Sequence, residues 1–218
     1  MRGESDGHPY AVTSAFHADV GLILREPWPD RHRVRYDNTV DREPVSLDEI
    51  LQGYEHARRT LHDLLGVATA ADLARRSDGT RWTNQELLFH MLFGYLVTRN
   101  LLVIVKIVSR LPHRFGRAFT GLLDAGTRPF DWINYWGSRA GARVLGPARM
   151  GHWMNRVITS LRRHLDRETE QSLQRSMPFP TRWDPYFTEA MTLRDVYHYP
   201  TLHFAHHRRQ LTVGPVEP

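Results

Sequence analysis

Three short signatures constrain this 218-residue chain most: Ser46-Leu-Asp-Glu49, Thr83-Asn-Gln-Glu86 and Thr192-Leu-Arg-Asp195. Each sets a hydroxyl side chain three residues before a carboxylate. In a capping box the two side chains satisfy each other's backbone N–H groups and so open a helix. After Ser46, the residues Leu47, Ile50, Leu51, Tyr54, Ala57, Leu61, Leu64 and Leu65 follow at helical spacing until Gly66. The Thr83 box opens an apolar helix expected to run to about Leu111, because Pro112 stops it. The Thr192 box opens a helix to about Leu211, with Pro200 inside and expected to kink it. A further helix is predicted from Met150 to about Gln171, with Trp153, Val157, Leu161 and Leu165 on one stripe. Four long helices joined by uneven connections predict an all-α four-helix bundle.

The remainder is arranged around that bundle. Residues 1–45 are polar and proline-bearing, with an apolar patch at Val20–Leu24 and a candidate strand at Arg33–Tyr36; they read as an N-terminal extension. The bundle domain is expected over 46–213. Within it, 113–147 reads as an inserted helical region carrying Phe130, Trp132, Tyr135 and Trp136. Met177–Phe187 reads as a proline-pinned loop.

Composition removes several classes of chemistry. There is no cysteine, which excludes disulfides, thiolate-held zinc, iron–sulfur clusters and a cysteine nucleophile. Any metal must be held by nitrogen and oxygen, which suits Zn, Ni, Fe or Mn. The net charge of +5 does not predict nucleic-acid binding: Lys106 is the one lysine, and the arginines are scattered among acids. Arg99 and Lys106 interrupt the apolar run of the Thr83 helix short of a membrane span, which predicts a buried central helix. The first residues, Met1–His8, lack the apolar stretch of a secretory signal, so a cytoplasmic protein is expected.

Three histidines carry the chemistry. His203 and His207 are one turn apart on a single helix face, and His90 lies in the apolar run Leu87–Tyr95 of another helix. Two nitrogens from one helix and one from a second leave open positions on a metal, as a reactive site requires. His206 offers a competing pair with His203, and a lone histidine on an apolar face is more often a packed or hydrogen-bonded residue than a ligand. Glu86, four residues before His90, is either the cap alone or a carboxylate orienting His90 or accepting a proton. Gly94 leaves room for a ligand or for close helix packing. Tyr199 is either a stabiliser of developing negative charge or a buried tyrosine with one hydrogen bond.

Trp82-Thr-Asn-Gln-Glu-Leu-Leu-Phe-His90, followed by Tyr199-Pro-Thr-Leu-His-Phe-Ala-His-His-Arg-Arg-Gln-Leu211, resembles the DinB-like superfamily of four-helix-bundle metalloproteins. The Phe179–Asp184 stretch also resembles one branch of it. The likeness covers about residues 46–213. It implies His90, His203 and His207 as metal ligands, with Gln210 following and His206 left out. It also implies a thiol S-transferase activity on a low-molecular-weight thiol such as bacillithiol or mycothiol. An arginine-rich, lysine-poor chain fits a high-GC actinobacterial source, where mycothiol is the thiol at hand. The function expected is a divalent-metal (for example zinc) transferase joining such a thiol to an electrophilic small molecule. Arg182 would meet a carboxylate of the thiol or substrate. The alternatives are a hydrolase or isomerase using metal-bound water, and a non-catalytic metal-binding stress protein. A small-molecule substrate and a homodimer are the partners expected, rather than nucleic acid or a membrane.

Overall fold

Every helix start with a described cap rests on a hydroxyl side chain and its partner three residues on. The computed structural model describes residues 44–110, 121, 127–181 and 183–213. Among them α1 spans Leu47–Val67, α2 Ala70–Ala74, α3 Asn84–Val108, α4 Thr127–Leu165, α5 Glu170–Leu173 and α6 Leu193–Arg208. The Ser46, Thr83 and Thr192 boxes open α1, α3 and α6 as the sequence predicts, with both halves of each box formed. Thr69 and Thr169 open the short helices α2 and α5 in the same way. The expectations for the apolar patch at 20–24, the strand at 33–36 and residue 182 lie outside the described residues.

The four long helices close into a ring in which α3 packs on α4 and α6, and α1 packs on the same two. Ile50, Tyr54, Ala57, Leu61 and Leu64 form the buried stripe of α1. Tyr54 donates its hydroxyl to the Tyr197 carbonyl at 2.6 Å, tying α1 to α6 inside the core. The first half of α3 is central to the bundle, and Leu87 to Leu92 are buried without interruption. Its second half departs from that expectation, since Val103, Ile104 and Ile107 are exposed.

The third long helix begins and ends earlier than predicted. At Gly146 (φ 63°, ψ 168°) α4 breaks into two segments. The left-handed φ suits glycine, and Pro147 then enters the second segment where no N–H is required. That segment stops at Leu165 rather than near Gln171, because Thr169 caps a separate turn. The first segment of α4, inside the region read as an insertion, lies along α3: Gln85 Nε2 donates to the Ala142 carbonyl at 3.0 Å. The proline-pinned loop is flanked by a two-stranded antiparallel ladder, β1 (Ser176–Pro178) with β2 (Ala190–Thr192), which delivers the chain to the α6 cap. Helix α6 runs continuously through Pro200.

Candidate metal centre

The three histidines meet. His203 and His207 project from one face of α6 with ring centroids 4.6 Å apart, and the His90 ring from α3 sits 4.9 and 4.7 Å from them. One nitrogen from each lies within 4.8 Å of the other two. All three side chains are buried.

The outward nitrogens decide how the rings face. His203 Nδ1 lies 2.9 Å from Asp184 Oδ2, His207 Nδ1 2.6 Å from Gln210 Oε1, and His90 Nδ1 3.1 Å from Ser138 Oγ. A carboxylate and an amide oxygen can only accept, so His203 and His207 each donate from Nδ1, which leaves Nε2 as the nitrogen on the side of the cluster. Second partners of this kind fix the tautomer and orientation of metal-binding histidines. Among the described residues, the buried His203 Nε2 has no hydrogen-bond partner, and it is the atom a cation would satisfy. Burial, with the neighbouring His207, His203 and His206, holds His90 well below its ordinary pKa. Burial and His203 do the same for His207, against the opposing Gln210 hydrogen bond. Both rings are therefore neutral at pH 7, the protonation state of a ligand. Three converging imidazoles, with one buried nitrogen unanswered among the described residues, fit a divalent ion.

Gly94 makes the closeness possible. A Cβ placed there would stand 2.8 Å from His203 Cδ2, so the helices meet where α3 has no side chain. Trp82 roofs the cluster, stacked on His90 at 4.3 Å between centroids.

Several predicted roles change. The partner that orients His90 is Ser138, not Glu86. Glu86 accepts the Thr83 N–H at 3.0 Å through Oε2 and pairs with Arg139 Nε at 3.2 Å through Oε1. It serves as cap and ion-pair partner. Tyr199 donates its hydroxyl to Asp184 Oδ2 at 2.8 Å, and burial followed by the Asp184 charge pushes its pKa well up. Its hydroxyl thus holds the carboxylate that holds His203. His206 lies aside, with Nδ1 3.3 Å from the Tyr186 hydroxyl. Arg182, expected to bind the thiol or substrate, lies outside the described residues, as do the side chains of 127–131, Phe130 among them. Asp184 and Ser138 carry roles that no local pattern assigned.

A family model for the DinB superfamily matches residues 53–211, which includes all three histidines and all three of their partners. The chain belongs to the DinB superfamily. No curated protein matches it. Among solved structures, YfiT from Bacillus subtilis, described as a probable metal-dependent hydrolase with an unusual four-helix bundle topology, aligns at 18% identity. That alignment covers 79% of this chain and 89% of that one, with a TM-score of 0.46. The family match, rather than this loose superposition, places the chain among DinB bundles.

Proposed function

We propose that this DinB-superfamily protein is a cytoplasmic, divalent-metal-dependent transferase that joins a low-molecular-weight thiol, of the mycothiol kind, to an electrophilic small molecule. His90, His203 and His207 hold the metal. Asp184, Gln210 and Ser138 fix the three rings, and Tyr199 fixes Asp184. The observation that supports the reading most is the orphaned, buried Nε2 of His203 facing two neutral imidazoles. With three neutral ligands a bound ion keeps its full positive charge, which lowers the pKa of a thiol toward neutrality. In the net reaction a sulfur–carbon bond forms, the leaving group departs from carbon, and the thiol proton is released with it.

The test begins with protein purified without a histidine tag. About one equivalent of metal per chain is expected. The loaded protein is then offered an electrophile with and without thiol, and products are identified by mass spectrometry. Thioether formation that stops on chelation supports the proposal. Full activity after chelation ends it, and turnover without any thiol would assign hydrolysis or isomerisation instead.

A further inference from the structure

Trp82 offers a polar atom that none of the described residues answers. The backbone of this residue is fully used: its N–H goes to Thr80 Oγ1 at 3.1 Å, and its carbonyl accepts from Ser77 N at 3.0 Å and Ser77 Oγ at 2.9 Å. The indole is 7% exposed, yet its Nε1–H is buried with no partner among the described residues. Buried indole N–H groups ordinarily find one, because an unmade hydrogen bond in a dry site costs free energy. It shares this state with His203 Nε2.

The placement says what the missing partner is. One face of the indole stacks on His90, with an interplanar angle of 29°, and the ring meets His207 at 6.2 Å in an edge contact. Tyr135 lies nearly parallel to the indole, with ring centroids 6.2 Å apart. For stacking alone a phenyl ring would serve and would bury no donor. An unanswered donor on a ring that stacks on one imidazole and meets a second edge-on instead suits an uncharged donation to whatever occupies the centre. Sulfur accepts hydrogen bonds weakly, so an oxygen on the ligand is the better complement.

We propose that the Trp82 indole N–H selects ligands of the histidine centre that carry an oxygen acceptor, carbonyl or carboxylate, a few bonds from the metal-binding sulfur. This rests on the thiol reading above and narrows the class of thiol.

Zinc-loaded protein with ¹⁵N-labelled tryptophan, its Trp82 indole signal assigned through Trp82→Phe, provides the test. Zinc stoichiometry is measured first, and thioglycolate and ethanethiol are then titrated separately. Thioglycolate is expected to move the Trp82 indole proton downfield and slow its exchange, while ethanethiol leaves it in place. Trp82→Phe, which keeps the stacked ring, should still bind zinc and weaken thioglycolate about tenfold. An unmoved indole signal with thioglycolate bound, equal thioglycolate affinity in the variant, or an indole already hydrogen-bonded before thiol is added would each overturn the proposal. Absence of zinc binding would overturn the metal reading itself, and the selection by Trp82 with it.

Discussion

Two buried polar clusters in this bundle are built to opposite ends. Around Glu168 every group is answered from within the chain: Lys106 pairs with its carboxylate, Tyr197 donates at 3.0 Å and Ser172 at 2.7 Å. Around His203 the outward nitrogens are answered, but the inward Nε2 has no partner among the described residues. Electrostatics marks the contrast as well. Burial alone would raise the Glu168 pKa, but the hydrogen bonds from Lys106, Ser172 and Tyr197 outweigh it and hold the carboxyl below its ordinary value. At His90 and His207 burial prevails instead, at His207 even over the Gln210 hydrogen bond, and both stay neutral. A closed network of this sort stabilises a fold; an open one waits for a ligand.

The comparison can be broken from either side. His203→Ala and His207→Ala should each take metal content from about one equivalent to none, read by elemental analysis, with the metal-free fold little weakened. Glu168→Ala should do the reverse, keeping the metal and losing about 3 kcal/mol in urea unfolding, because Lys106 is left half-buried without its partner. Asp184→Asn removes the charge behind His203 and should weaken metal binding by about 10–100-fold in competition with a chromophoric chelator.

Acid should separate the clusters too. Below the ordinary histidine value of 6.5, the unfolded chain takes up protons that folded His90 and His207 refuse. The stability of the metal-free protein therefore falls with pH, by up to ~1.4 kcal/mol per pH unit for each histidine. Glu168 has a depressed pKa, so its contribution is full above its ordinary 4.5 and is lost only as pH falls through the lower folded value. Urea titrations across pH should show two windows, and added zinc should alter the upper one. The smallest effect is expected at Gly94→Ala, where better helix propensity holds the fold but a Cβ crowds His203. Metal affinity should drop by on the order of tenfold with no loss in the urea midpoint.

Much of this was legible in the sequence because helix caps are local. Ser46, Thr83 and Thr192 each announce themselves within four residues, and the long amphipathic runs behind them leave little doubt about a helix. Thr69 and Thr169 carry the same chemistry but open helices of five and four residues, too short to display a period. Gly146-Pro147 moved a helix start because the break depends on one backbone angle. The triad was legible for a similar reason, since i and i+4 spacing needs no tertiary knowledge. Its supports were not. Asp184 reaches His203 from an irregular loop and Ser138 reaches His90 across 48 residues, so neither leaves a local trace. For Asp184 the one available signal was the Phe179–Asp184 stretch. Glu86 and Tyr199 were visible as candidates, and tertiary partners decided their roles.

Gln210 has two duties: its side chain holds His207, and its carbonyl accepts the Asp78 N–H at 2.8 Å. Two residues on, Thr212 exchanges hydrogen bonds with Asn84 at the head of α3. The centre is thus assembled from parts that leave the ribosome more than a hundred residues apart, and its last pieces seal the start of the helix that bears the first. During synthesis His90 emerges long before it has anything to share an ion with. An ion held by all three histidines would therefore be captured late, once α6 has joined α3.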